Sequence, residues 1–226
     1  WKEVPYLEVP CRPPNFKDSV KVDCSDPRVS AHIIPGVKQD NPADIMRGEE
    51  TQIQGLLAQR TNFNGVVCLP GTHSKWAKIS AGEIISFQTY MTGELFSLLS
   101  EKSILKHSVK DLGWDHVVFI EGVKSIMSDS KLFGTKLFSL RAKSILNNLT
   151  GIEAKSILSG YLIGLELSGS RPYWLGEDVW ILGENDLSSA YETALSSLGV
   201  IANRCDNEQI SLKGLKAVYN SIDETL

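Results

Sequence analysis

A chain of 226 residues suits one large domain or two unequal ones, and its 42% hydrophobic and 22% charged residues exclude disordered and collagen-like classes. A net charge of −4 excludes the global basic field that would draw the protein to nucleic acid or an anionic membrane. Its four cysteines, Cys11, Cys24, Cys68 and Cys205, form no C-x-x-C pair and no apolar run reaches membrane-spanning length, so free thiols in a reducing, cytoplasmic compartment are expected.

Seven of the nine prolines fall within residues 1–42, which predicts irregular structure and short extended pieces there, with a strand at His32–Ile34. From Glu49 onward a helix is predicted, because Ile53, Leu56 and Leu57 share one face. Arg47 and Gly48 sit at its entrance, and Glu49 and Glu50 in its first turn complement the helix dipole. Gly65 to Thr72 reads as a buried strand running into a turn, and Ser74–Ile79 alternates as a second strand. Ala81-Gly82 makes a two-residue hairpin to a third strand, Glu83–Tyr90. A helix around Leu95 to Ser100 follows, and residues 101–170 read mainly as helical. Asp178 to Gly183 is a further buried strand, and Asp186 is the expected cap of the next helix. Gly199–Ala202 suggests a short strand, and Leu212–Ile222 a last helix. The tryptophans Trp76, Trp114, Trp174 and Trp180 read as core, since the basic interleaving of a nucleic-acid platform is missing.

Three segments could carry chemistry. In Leu69-Pro70-Gly71-Thr72-His73-Ser74-Lys75-Trp76, a glycine turn between strands exposes backbone N–H groups, with hydroxyls at Thr72 and Ser74 and a cation at Lys75, a set that suits phosphate. The spacing is not that of a Walker loop, and a hairpin edge with polar turn residues accounts for the same string. In Arg47-Gly48-Glu49-Glu50-Thr51-Gln52, an arginine beside two carboxylates could hold a carboxylated sugar and accept the proton of its hydroxyl; a solvated, well-capped helix start is the competing reading. In Ile181-Leu182-Gly183-Glu184-Asn185, a strand ending in glycine before a helix is where α/β proteins hold ligands, and also an ordinary connection. Scattered histidines show no metal-ligand spacing, so no protein metal site is expected.

The strings Met46 to Gln52, Leu69 to Trp76 and Tyr90-Met91-Thr92-Gly93-Glu94-Leu95, in that order, resemble the 2-dehydro-3-deoxygalactonokinase family. The run Leu158 to Glu166 and the opening Trp1 to Leu7 resemble it too, so matches span almost the whole chain. The resemblance implies an α/β, ribonuclease-H-like fold of the sugar kinase, actin and Hsp70 superfamily, in which two such domains close over ATP. Residues 1–58 would be the end of the first, substrate-side domain and residues 59–226 the second, nucleotide-side domain, with the last helix packing back toward the first. It also implies ATP- and Mg²⁺-dependent phosphorylation of 2-dehydro-3-deoxy-D-galactonate at its 6-hydroxyl, a step of galactonate breakdown, with a homodimer allowed. Gly71, Thr72, His73 and Ser74 would form a phosphate loop. Glu49 or Glu50 would be the catalytic carboxylate, with Glu49 favoured because it follows Gly48 directly. Arg47 would pair with the substrate carboxylate and Thr51 line the substrate site, while Gly183 and Asn185 would lie near the adenosine.

Family members open with a strand and turn resembling D-W-G-T-S-N-x-R, which forms the other phosphate loop and carries an Asp that helps hold Mg²⁺. Nothing in residues 1–226 matches it, which leads to the expectation that the amino-terminal strands are missing and activity is low without them. A non-catalytic remnant that still binds nucleotide is the alternative to an active kinase, and an actin-like ATPase is a third reading that the sugar-kinase strings disfavour.

Overall fold

The computed structural model describes residues 4–110 and 113–222; of the opening segment Trp1 to Leu7, the first three residues lie outside the described range. The proline-rich start forms short strands, β1 (Leu7–Glu8), β2 (Val20–Val22), β3 (Ala31–Ile33), β4 (Val37–Asp40) and β5 (Ala43–Met46), followed by helix α1 (Glu49–Gln59). A hairpin of three strands comes next: β6 (Gly65–Leu69), β7 (Ser74–Ser80) and β8 (Glu83–Tyr90). The helical stretch comprises α2 (Thr92–Ser97), α3 (His116–Ser128), α4 (Phe133–Leu146), α5 (Gly151–Gly169) and α6 (Arg171–Trp174). The chain ends with β9 (Val179–Gly183), α7 (Asn185–Ser197), β10 (Ala202–Asp206) and α8 (Asn207–Asn220).

The main sheet has the order β10-β9-β6-β7-β8; β7 is antiparallel to both its neighbours, while β6, β9 and β10 run parallel. Because strand side chains alternate between faces, each strand feeds two cores. Val67, Leu69, Ala77, Ile79, Trp180 and Leu182 pack on one face with Ile53 and Leu56 of α1, Val37 and Met46 of the β4–β5 hairpin, and Ile210 of α8. Val66, Cys68, Trp76, Val179 and Ile181 pack on the other with Phe119 and Val123 of α3, Ile163 and Leu167 of α5, and Tyr191 of α7. Trp76, Trp174 and Trp180 are buried, and Trp114 packs against the second core, as the absence of basic interleaving predicted.

The β4–β5 hairpin was not foreseen, and it has a defined job. Strand β8 is an edge, and its free amides need acceptors. The Phe87 N–H donates to Gln39 Oε1 (3.1 Å) and the Thr89 N–H to Asp44 Oδ2 (2.7 Å), while Cys11 and Ile84 exchange backbone bonds of 3.1 and 2.7 Å. Residues 4–46 thus cover the sheet edge and share its core.

Three boundaries differ from expectation. Helix α7 begins one residue after β9, so the cap position falls on Glu184 and Asp186 lies inside the first turn, where it caps nothing. Gly199, with φ of +82°, ends α7 rather than opening a strand, and the strand follows at Ala202–Asp206. Its polar sequence concealed it, but an edge strand bonds through its backbone and tolerates polar side chains. Helix α8 accordingly starts at Asn207, before the first apolar repeat, and packs against α1. All four cysteines are free thiols.

Candidate active site

Strands β6 and β9 run parallel and end side by side, at Leu69 and Gly183. The crevice beyond the carboxyl ends of parallel strands is where open α/β sheets hold ligands. A cleft of about 820 Å³ opens there. Its walls are the entrance of α1 (Arg47, Gly48, Glu49, Gln52), the turn between β6 and β7 (Pro70 to His73) and the β9–α7 junction (Leu182 to Glu184, Leu187), with Gly93, Ser97 and Ser211 completing the rim.

At the α1 entrance the chain folds back on itself. Gly48 adopts φ of +107°, which favours glycine. The Gly48 N–H donates to Glu50 Oε2 (2.6 Å), and the Arg47 N–H to Glu49 Oε2 (3.0 Å). The other oxygen of Glu49, Oε1, lies 3.0 Å from Lys75 Nζ, whose ammonium is almost fully buried. Glu50 is buried and also accepts from the Thr51 hydroxyl (3.2 Å); desolvation pushes its carboxyl up to about 7, against the pull of these donors. The Arg47 guanidinium sits 4.5 Å over the Tyr6 ring and donates to the Val4 carbonyl (3.0 Å), so it is held in place while its residue remains exposed.

The opposing turn is braced from α2. The Glu94 N–H donates to the Thr72 carbonyl (3.0 Å), and Glu94 Oε2 meets His73 Nε2 at 2.6 Å. Gly93 lies so close that an added Cβ would stand 2.5 Å from the Gly71 carbonyl oxygen and 2.8 Å from Thr72 Cα. Beneath the turn, the alternation of β7 sends Ser74 and Lys75 apart. Lys75 reaches α1, while Ser74 Oγ goes into the helical core, 2.8 Å from the Tyr191 hydroxyl.

Of the residues singled out from sequence, Arg47, Glu49, Gly71, Thr72, His73 and Gly183 meet on this cleft. Four stand off it. Glu50 is turned back onto Gly48, Thr51 onto Glu50, and Ser74 is buried under the turn. Asn185 is exposed on α7, its side-chain and backbone oxygens accepting from Arg204 (3.3 and 3.1 Å). Gln52 and Glu184, on the wall, had been noted only within longer strings, and Lys75, read as a cation for phosphate, pairs with Glu49 instead and does not line the cleft. The buried carboxylate Glu166 was also passed over. It is the only charged residue from Ser156 to Gly169, and a lone carboxylate in an apolar helix is the signal that marks it. Among the described residues no cluster of three or more His, Cys, Asp or Glu could hold a metal ion, and no helix is long and apolar enough to cross a membrane.

The arrangement suits an anionic ligand: a glycine turn, a hydroxyl at Thr72, a histidine and a fixed arginine share the cleft with the carboxylates of Glu49 and Glu184. The chain is similar to known proteins over nearly its whole length. The family model described as 2-keto-3-deoxy-galactonokinase matches residues 1–218. A protein of Rhizobium meliloti (strain 1021) named a probable 2-dehydro-3-deoxygalactonokinase is 33% identical, covering 98% of this chain and 74% of the relative. The 2-dehydro-3-deoxygalactonokinase of Escherichia coli (strain K12) is 28% identical over 98% of this chain and 75% of its own. A crystal structure from Sinorhizobium meliloti, described as a 2-dehydro-3-deoxygalactonokinase protein, superposes with a TM-score of 0.90 at 32% identity, over 96% of this chain and 74% of that one. At 14% identity, (R)-2-hydroxyglutaryl-CoA dehydratase component A of Acidaminococcus fermentans shares the fold alone, with a TM-score of 0.50 over 78% of this chain and 70% of that one.

Proposed function

The chain belongs to the 2-keto-3-deoxy-galactonokinase family, and from that premise we propose the reaction this cleft performs: transfer of the terminal phosphoryl group of ATP to the 6-hydroxyl of 2-dehydro-3-deoxy-D-galactonate. It is a sugar-acid kinase, a phosphotransferase with an alcohol acceptor. The observation that carries the assignment of roles is the meeting of Arg47 and Glu49 with the Gly71-Thr72-His73 turn on one cleft of about 820 Å³.

Arg47, fixed over Tyr6, takes the substrate carboxylate, a planar match for a guanidinium. Glu49 accepts the proton of the 6-hydroxyl as that oxygen bonds to the γ-phosphorus and the bond to the β-phosphate oxygen breaks, releasing ADP. Its two oxygens already meet Lys75 and the Arg47 N–H, but a carboxylate has about four acceptor positions, so about two remain and the hydroxyl can take one. Gly71, Thr72 and His73 receive phosphate oxygens, with Ser74 supporting them from below. Adenosine lies beyond Gly183, on the side of Asn185. A neighbouring hollow of about 620 Å³, which shares Leu187 with the cleft and is walled by Trp114, Ile163 and Ala190, gives the adenine apolar surface. Mg²⁺ bound with ATP would neutralise phosphate charge. Such an ion would keep phosphate oxygens and water as most of its ligands, and Glu184 on this cleft would offer a carboxylate to it or to its waters.

The order β8-β7-β6-β9-β10 with only β7 reversed supports a ribonuclease-H-like nucleotide domain over residues 59–226. Residues 1–58 then bring the substrate side, and α1 and α8, which pack together, join the two. Four free thiols suit a reducing compartment, and we place the reaction in the cytoplasm. Coupled ADP release by the full-length protein tests the assignment. ADP should form with ATP, Mg²⁺ and 2-dehydro-3-deoxygalactonate, and not with a neutral sugar of the same length. Equal rates with the neutral sugar, or none with the sugar acid, would remove the substrate assignment.

A further inference from the structure

Beneath the phosphate turn lies a buried polar network that the reaction itself does not use. Glu166, on α5, is 1% exposed and completely enclosed. Its Oε1 accepts from the Trp76 indole N–H (2.8 Å) on β7. Its Oε2 accepts from the Tyr191 hydroxyl (2.6 Å) on α7 and from the Thr92 hydroxyl at the start of α2. Tyr191 in turn meets Ser74 Oγ at 2.8 Å, at the end of the turn. Since the carboxylate only accepts, a consistent proton arrangement runs one way: Ser74 donates to Tyr191 and Tyr191 to Glu166.

Both branches of this network end on the same four residues. One reaches Ser74 from below. The other holds Thr92, next to Gly93, which packs against Gly71 and Thr72, and Glu94, whose N–H holds the Thr72 carbonyl. Burying a carboxylate here carries a cost that an apolar side chain of the same volume would avoid. Burial pushes the Glu166 carboxyl above its ordinary range, while the Thr92, Tyr191 and Trp76 donors oppose the shift. What an apolar replacement could not supply is a shared anchor for β7, α2 and α7.

We infer that Glu166 is a positioning residue for phosphoryl transfer: acting through Tyr191–Ser74 on one side and Thr92–Gly93 on the other, it fixes the Gly71–Ser74 turn in the shape that receives the phosphate. This inference rests on the kinase reading of the turn. Displacing a reacting group by about 1 Å can cost about 10²-fold in rate, so loosening the anchor should act on the nucleotide and not on the sugar acid.

The test compares Thr92→Val, which keeps shape but loses the hydroxyl, with Thr92→Ser, which keeps the hydroxyl, and with Tyr191→Phe, all in the full-length protein. Thr92→Val and Tyr191→Phe should raise the KM for ATP and lower kcat, together by about tenfold or more, and leave the KM for the sugar acid within about twofold. Amide hydrogen exchange across 71–74 should quicken while β6 and α5 stay protected, and Thr92→Ser should restore both readouts. Variants that lose thermal stability alone, with ATP KM and exchange at wild-type values, would show a purely structural network and overturn the inference. If the wild type does not phosphorylate the sugar acid, the substrate reading fails separately. The anchor is then judged by exchange at 71–74 and by titration with a fluorescent ATP analogue.

Discussion

The two walls of the cleft are held by different means. At the α1 entrance the backbone turn is held locally, with Gly48 to Glu50, Arg47 to Glu49 and Thr51 to Glu50 spanning at most two residues, while the Arg47 guanidinium reaches further, to Val4 and Tyr6. The facing turn is held from afar, by Tyr191 across 117 residues, and at one further remove by Glu166. Local bonds form wherever the helix forms and cost little ordering beyond it. Distant ones exist only when α2, α5, α7 and β7 are all in place, so the shape of the turn reports on the whole core. Lys75 links the two systems, because it belongs to the strand that carries the turn yet pairs with the carboxylate at the helix entrance.

Three experiments break or sharpen this contrast. The largest effect is expected from Glu49→Gln, which keeps an oxygen for Lys75 but cannot take the proton. Steady-state kinetics should show kcat down by about 10²- to 10⁴-fold with the fold intact by circular dichroism. A loss under about tenfold would move the base elsewhere. Next comes Gly93→Ala. The new methyl must displace backbone at Gly71 and Thr72 rather than a pliable side chain, so stability should fall by about 1–3 kcal/mol and ATP KM should rise while sugar-acid KM holds. A sugar-acid KM that rises in parallel would show that the two walls are not independent.

The smallest effect on rate, and the clearest on stability, belongs to Glu50. Its carboxyl holds a proton more tightly folded than unfolded, with its range raised from 4.5 to about 7. The stability it contributes is therefore fully present below about pH 4.5 and lost as pH rises through about 7. Urea unfolding at about pH 5 and about pH 8 should show wild type losing on the order of 3 kcal/mol more than Glu50→Gln over that interval. Equal losses would mean that Glu50 stays ionised at both pH values.

How much of this could be read from residues alone varied along the chain. Apolar alternation and the Ala81-Gly82 turn located β6 to β8 closely, because hydrophobic period and turn chemistry are properties of neighbours. The same logic failed where burial does not decide the structure. Strand β10 is polar because it is an edge, and β4–β5 stands where seven prolines argued for irregular chain, because Gln39 and Asp44 supply acceptors to another edge. In the site, Arg47 and Glu49 were visible beside a helix start. That Glu50 folds away from the cleft while Glu49 faces it follows from which carboxylate oxygen finds Gly48 and which finds Lys75.

By itself, then, the sequence determined the strand-and-helix order from Gly65, the helix entrance that carries arginine and carboxylate, and the glycine turn opposite. Each depends on contacts within a few residues. The tertiary structure decided that these two segments share one cleft, that Ser74 turns inward while Lys75 crosses to Glu49, and that a lone glutamate in an apolar helix anchors the turn. Those outcomes depend on the pairing of β6 with both β7 and β9, and on which face of the sheet each side chain meets. Neither is fixed by any short stretch of chain, because buried polar groups take their partners from whatever element packing brings within reach.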